Sequence, residues 1–168
     1  CIENGITLDE SKKLSHSLEQ GGLDVIHVSA GNDATVDIQT EPLYYPLASK
    51  AHLAQAIKEV VSIPVIASGS ITTPEIAEDI LRKGKADFVS LARSLVADPD
   101  FVRKVDEGRS EDIRPCIRCC DCNGRAVLWK PIGCSVNASV GGDEEHDIEA
   151  ASMPQRVCVV GGGPGGME

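Results

Sequence analysis

Apolar and polar residues alternate with two periods along the first hundred positions. Over residues 7–20, Leu14 and Leu18 share a helical face, Asp9 and Glu10 fall in the first turn and Gly21-Gly22 follow. That pattern predicts a helix closed by glycine. Leu23-Asp24-Val25-Ile26-His27-Val28-Ser29 reads as a short buried strand. The order then repeats. Leu53, Ile57, Val60 and Val61 form a helical stripe, and Ile63-Pro64-Val65-Ile66-Ala67-Ser68 is a strand ending at Gly69-Ser70. Thr73-Pro74-Glu75 starts a helix, with Thr73 as N-cap and Pro74 at the first helical position. Ile76, Ile80 and Leu81 face inward and Gly84 closes that helix. Ala86-Asp87-Phe88-Val89-Ser90-Leu91 is a third strand, and a further helix is expected near residues 98–107. Between the first strand and the second helix, residues 30–49 show no period. A long loop inside a compact domain tends to carry function.

Short β-branched strands separated by amphipathic helices predict an α/β fold with a parallel sheet and helical crossovers. Three strands suit part of an eight-stranded βα barrel or part of an open doubly wound sheet, and periodicity alone does not separate the two. Past residue 108 the texture changes. Residues 109–140 are rich in Cys, Gly and Arg, and residues 141–155 read as an acidic linker. Arg156-Val157-Cys158-Val159-Val160 then predicts a fresh strand running into Gly161-Gly162-Gly163-Pro164-Gly165-Gly166, with Cys158 in its core.

Charge and composition narrow the function classes. Lys plus Arg number 16 against 26 Asp plus Glu, a formal net charge of −10 that argues against a nucleic-acid partner. No stretch is long and apolar enough to cross a membrane, and no basic segment leads into an apolar secretory core. The expectation is a cytoplasmic protein acting on a small-molecule substrate. Aromatics are 3% of residues, so the core is built from Val, Ile, Leu and Ala. The chain opens at Cys1 and stops where a helix should begin, which reads as a fragment. An isolated piece of sheet would expose an unpaired edge, so self-association is expected, and the parent is expected to be a homo-oligomer.

Five of the seven cysteines crowd into one stretch. Two residues separate Cys116 from Cys119 and two separate Cys119 from Cys122, while Cys134 follows after eleven more. Such a loop can wrap three corners of a [4Fe–4S] cube and leave a distant cysteine to close it, with Cys120 pointing away. A structural zinc site of four cysteines is the alternative, although two C-x-x-C pairs are more usual for zinc. The glycine run after the 156–160 strand contains G-x-G-x-x-G, the setting in which backbone N–H groups approach a pyrophosphate. Gly69-Ser70-Ile71 and Ala92-Arg93-Ser94 follow two successive strands. In a barrel these would be the last two loops, a common phosphate site with Arg93 as its fixed cation. A surface arginine on an ordinary turn is the alternative. His27 is expected to be a packed core histidine, with His16, His52 and His146 exposed. Tyr44-Tyr45 either lines a substrate cavity or packs the loop down.

Taken together, Ile63-Pro64-Val65-Ile66-Ala67-Ser68-Gly69-Ser70-Ile71, Gly84-Lys85-Ala86-Asp87-Phe88-Val89-Ser90-Leu91-Ala92-Arg93 and Ala97-Asp98-Pro99 resemble the old yellow enzyme family. Arg114-Pro115-Cys116, the cysteine loop, Cys134-Ser135-Val136-Asn137 and the glycine run are similar to its branch of 2,4-dienoyl-CoA reductase, trimethylamine dehydrogenase and clostridial enoate reductases. The resemblance implies the C-terminal part of a TIM (β/α)8 barrel that holds FMN over residues 1–108. It implies a [4Fe–4S] loop over 109–140, and a linker with the first strand of a Rossmann-like domain for FAD or NAD(P)H over 141–168. Gly69, Ser70, Ala92 and Arg93 would then meet the FMN phosphate. Cys116, Cys119, Cys122 and Cys134 would ligate the cluster, and Gly161, Gly163 and Gly166 would begin the second nucleotide site. The extra Cys120 departs from the family pattern beside the third ligand. The family's catalytic Tyr and His and first five barrel strands would precede Cys1, so no residue here is assigned a catalytic role and the chain alone is expected to be inactive. In the parent the resemblance implies electrons passing from NAD(P)H through FAD and the cluster to FMN, to reduce an activated C=C bond. An amine dehydrogenase on the same scaffold, or a non-catalytic zinc-bearing piece, is the alternative.

Overall fold

The computed structural model describes residues 2–140 and 151–163. Helix α1 (Leu8–Gln20) opens the fold, with Thr7 and Glu10 exchanging hydrogen bonds in a capping box that satisfies two of the first-turn N–H groups. Strand β1 (Ile26–Val28) leads through a 3-10 turn (Asp33–Thr35) into the short helix α2 (Val36–Thr40). Helix α3 (Ala51–Lys58), β2 (Val65–Ala67), α4 (Pro74–Arg82) and β3 (Phe88–Val89) continue the alternation. Thr73 accepts from the Ile76 N–H and Pro74 stands at the helix start, as the sequence predicts. Helices α5 (Arg93–Ala97) and α6 (Phe101–Asp106) follow, then a 3-10 turn (Ser110–Asp112) and α7 (Asp121–Val127).

The three strands form one parallel sheet in the order β1-β2-β3. Ile26 pairs with Val65, His27 with Ile66 and Val28 with Ala67; Ile66 and Ala67 pair in turn with Phe88 and Val89. Alternation across a strand therefore separates two sets. Val65 and Ala67 lie fully buried toward the helices, in a core with Ala51, Ala54, Ile57, Ile71, Ile80 and Ala86. On the opposite face stand His27, Ile66 and Phe88, the last 56% exposed.

Several expectations need correction. His27 is exposed, because its neighbours Ile26 and Val28 take the core side and leave it on the open one. Leu14 and Leu18 are also exposed, while Ser15 is the buried residue of α1. The aperiodic stretch 30–49 contains α2, and Gly31 lets the chain close onto it. A Cβ there would stand 2.4 Å from the Gln39 nitrogen. The helix expected over 98–107 is shorter, and α5 precedes it. Residues 156–160 pair with no strand among the described residues, and Cys158 is exposed rather than core. A strand needs a neighbour to receive its N–H and C=O groups, and the described residues offer this segment none. His146 and Gly166 lie outside the described residues.

Candidate functional site

A cleft of about 710 Å³ opens at the C-terminal ends of the strands, lined by His27, Ser29, Ser68 and Ser90 from the open face. Gly69, Ser70, Ala92 and Arg93, all singled out by the sequence, line the same cleft. Gly69 has φ +100°, a conformation that side chains other than hydrogen rarely adopt. A Cβ there would also stand 2.9 Å from Glu41 Oε2 and 3.0 Å from Lys50 Cδ. Ser70 is likewise left-handed at φ 47° and buried. Its carbonyl accepts from the Ala48 N–H at 3.2 Å, which ties the turn to the end of the long loop.

Arg93 begins α5 with its guanidinium spread over three partners. Nη2 points to Ser70 Oγ at 3.4 Å, and Nη1 donates to the Glu41 carbonyl at 3.1 Å and faces Cys120 Sγ at 3.3 Å. The same side chain lines a second, small cavity with room for about one water, walled by Cys116, Cys119, Cys120, Cys122 and Cys134. All five thiols are free. The residues brought together by spacing in the sequence are thus brought together in space, and Cys120, expected to point away, shares the wall. Among the described residues no three His, Cys, Asp or Glu side chains converge on a single ion. A lone zinc needs thiolates about 3.8 Å apart, given tetrahedral bonds of ~2.3 Å, whereas a cube with iron at its corners holds them further apart.

Burial pushes the Cys116 and Cys122 thiols above their ordinary range. The Cys119 thiol is lowered instead, by the Ser135 hydroxyl 3.3 Å away and by the Asp121 N–H. Cys122 sits on α7, a helix hidden in a stretch whose sequence shows no period.

The loop is anchored by four side chains. Asp98, 2% exposed, accepts from the Arg114 N–H at 2.8 Å and pairs with Lys104 at 2.6 Å. Arg118 donates to the Leu43 and Tyr45 carbonyls at 2.9 and 2.8 Å. Asn123 reaches Thr40 Oγ1 at 3.2 Å, and Asn137 reaches the Val96 carbonyl at 3.1 Å. Burial alone would raise the Asp98 carboxyl; Lys104 and the Arg114 and Asp100 N–H groups outweigh it and hold Asp98 below the usual carboxylate range.

Sequence reading missed the pair behind the Gly69 turn. Glu41 is 1% exposed and Lys50 5%, with Lys50 Nζ 3.9 Å from Glu41 Oε1 and donating to the Gln39 carbonyl at 3.0 Å. Ser49 donates to Glu41 Oε1, while Oε2 has no partner among the described residues. Burial pushes the Lys50 ammonium down; Glu41 opposes that shift and Arg93 adds to it. Nothing in the sequence marks Glu41, since a carboxylate in an aperiodic loop reads as solvated. Tyr45 packs the loop down, its hydroxyl donating to Asp37 at 2.6 Å, while Tyr44 stays 73% exposed.

Comparisons with known proteins give the chain's relatives. NADH oxidase of Thermoanaerobacter brockii is 42% identical over 99% of this chain and 26% of its own length. A metal reductase of Desulforamulus reducens is 40% identical over 96% of this chain and 24% of its own. A solved complex of 2-naphthoyl-CoA reductase with 2-naphthoyl-CoA superposes with a TM-score of 0.90 at 28% identity, over 99% of this chain and 26% of that one. The chain therefore spans about a quarter of the length of the relatives it matches. The profile of the NADH:flavin oxidoreductase / NADH oxidase family matches residues 3–112, and the chain belongs to that family.

Proposed function

We propose that residues 1–108 are the part of a βα barrel that grips the FMN phosphate, that 109–140 hold a [4Fe–4S] cluster, and that 141–168 lead into a FAD- or NAD(P)H-binding domain. The observation that carries this reading is the place of Arg93, which lines both the cleft at the strand ends and the cavity walled by cysteines. The residues present fit both groups. Gly69 has no room for a Cβ and leaves its backbone open to close approach, Ser70 offers a hydroxyl, and Arg93 offers a fixed cation of the kind that recognises phosphate. Cys116, Cys119, Cys122 and Cys134 supply the soft donors that iron–sulfur clusters take.

When bound, FMN would supply hydride for an activated C=C bond, and the cluster would supply one-electron connection to the NAD(P)H-linked flavin. The chain's own residues bind and orient. Ser70 and Arg93 hold the phosphate end, Ala92 and Gly69 leave it room, and Asp98, Arg118, Asn123 and Asn137 fix the cysteine loop against the barrel. Gly161, Gly163 and Gly166 would begin the second nucleotide site. The name of 2-naphthoyl-CoA reductase favours an unsaturated thioester or acid as the substrate class.

The test is an ultraviolet–visible spectrum of the anaerobically purified protein in its full natural length, with iron, zinc, sulfide and flavin quantified. The expected result is a broad blue-edge shoulder that bleaches with dithionite and about four irons per chain. Cys116→Ser should lose the iron and Cys120→Ser should keep it. A protein without iron that carries stoichiometric zinc would overturn the reading.

A further inference from the structure

The segment 40–45 lies beside the Gly69 turn, and its local bonds are few: the Glu41 N–H to the Asp37 carbonyl at 2.9 Å, the Tyr45 N–H to the Pro42 carbonyl at 3.0 Å and the Tyr45 hydroxyl to Asp37 at 2.6 Å. It follows the last turn of the five-residue helix α2, and Glu41 lies at φ 48°. Further bonds fasten it from distant parts of the chain. The cysteine loop contributes three hydrogen bonds, two from the Arg118 fork to the Leu43 and Tyr45 carbonyls and one from Asn123 to Thr40. The barrel contributes Arg93 and Ser70, which share one acceptor, the Glu41 carbonyl, at 3.1 and 3.5 Å. That carbonyl therefore aims the two side chains assigned to the phosphate. Arg118 itself holds a left-handed backbone, φ 54°, so the loop spends conformational strain to deliver this fork.

We propose that Arg118 is a positioning residue for flavin binding. By clasping segment 40–45 it fixes the Glu41 carbonyl, and through it the aim of Arg93 and Ser70, so that the cysteine loop sets the affinity for the FMN phosphate. The inference rests on the reading of the cleft as the phosphate site. Arg118 lines the cleft and its carbonyl accepts from the Cys120 thiol at 3.5 Å, but its guanidinium nitrogens are directed to the Leu43 and Tyr45 carbonyls, which separates the side chain's role from ligation. Because the aim of the phosphate-binding side chains is what depends on Arg118, its loss should weaken FMN but leave riboflavin, which lacks the phosphate, nearly untouched. A general loosening of the fold would weaken both alike.

The experiment uses the protein in its full natural length, stripped of flavin, with FMN and riboflavin titrated by fluorescence quenching and iron measured in every sample. Arg118→Ala removes two charge-assisted hydrogen bonds and is expected to raise the FMN dissociation constant about tenfold or more, with riboflavin within about twofold. Arg118→Lys, which can keep one bond but not the fork, should fall between. Faster proteolysis within residues 40–45 of Arg118→Ala would accompany these shifts. An Arg118→Ala protein whose FMN affinity is unchanged, or whose FMN and riboflavin affinities fall together, would overturn the proposal. Wild-type protein that binds FMN but holds no iron would overturn the cluster reading, and the Arg118 comparison would still decide this one. Wild-type protein that binds FMN no more tightly than riboflavin would overturn the phosphate site and this proposal with it.

Discussion

Replacing Asp98 by Asn tests whether the buried carboxylate is the anchor of the cysteine loop. Oδ2 of Asp98 accepts from Lys104 Nζ at 2.6 Å and from the Arg114 N–H at 2.8 Å, while Oδ1 accepts from the Asp100 N–H at 3.1 Å. An amide of the same shape has one acceptor oxygen. Turned toward Lys104 and Arg114, it sets its NH2 against the Asp100 N–H; turned the other way, it faces two donors with a donor. Either orientation loses the charge and leaves at least one buried N–H unpaired. Breaking a buried pair by changing one partner costs ~3–5 kcal/mol. The lower end applies, because Lys104 keeps a bond to the Asp112 carbonyl at 2.9 Å and its side chain stays 18% exposed.

A cost of about 3 kcal/mol is roughly a hundredfold in the local opening equilibrium. Amide hydrogen exchange over residues 98–118, followed by mass spectrometry on the protein in its full natural length, should speed up by that factor in Asp98→Asn. Iron loss to a chelator should quicken as well, since Arg114 stands two residues before Cys116. The pH dependence gives a second check. The Asp98 carboxyl is held below its unfolded value of about 3.9, so its contribution is present above that value and lost as pH falls through the folded one. The gap between wild type and Asp98→Asn should therefore be constant near neutrality and close below about pH 4. An exchange rate within about threefold of wild type at pH 7, in place of the hundredfold change expected, would refute the anchor.

Two further changes probe the cleft and its loop. Gly69→Ala adds a Cβ 2.9 Å from Glu41 Oε2 in a backbone conformation it disfavours, and should lower flavin occupancy of the purified protein while iron stays in place. Equal flavin occupancy would remove Gly69 from the phosphate cradle. The Asp37 carboxylate pushes the Tyr45 phenol up to about 12, so the loop contact is complete below the ordinary tyrosine range near 10 and weakens as pH rises toward the folded value. Tyr45→Phe should therefore remove one late-titrating phenolate from the alkaline absorbance titration; an unchanged titration would show that Tyr45 does not hold that bond.

The parts of the fold legible in the sequence are those where one local rule acts alone. Thr73-Pro74 caps α4 because an N-cap hydroxyl and a residue without an N–H suit the same few positions, whatever lies around them. The three strands were legible for the same reason, being short apolar runs between helices. Where tertiary contacts decide, the sequence was silent. Helices α2, α5 and α7 have five, five and seven residues, too short to show a 3.6-residue stripe. His27 misled because a run of apolar neighbours suggests a buried strand, whereas alternation assigns each neighbour a side, and only the pairing with Ile66 reveals which.

The candidate site divides along the same line. Residues that line its two cavities were marked in the sequence, as thiols at fixed spacing and an arginine after a strand. What holds those residues was not. Glu41 and Lys50 lie nine residues apart in a stretch without period, and they become a buried pair only when the turn at Gly69 closes over them. Arg118 sits between two cysteines, where its neighbours draw the eye, yet its fork reaches back more than seventy residues to two carbonyls. A backbone carbonyl has no letter in the sequence, so a bond from a side chain to one cannot be read from residue types. The supports of this site are mostly bonds of that kind, from Arg93 to Glu41, from Arg118 to Leu43 and Tyr45, and from Asn137 to Val96. It follows that these residues constrain the partner's position far more than its identity. Conservative changes at Leu43 or Val96 should be tolerated at sites where changes to Arg118 or Asn137 are not.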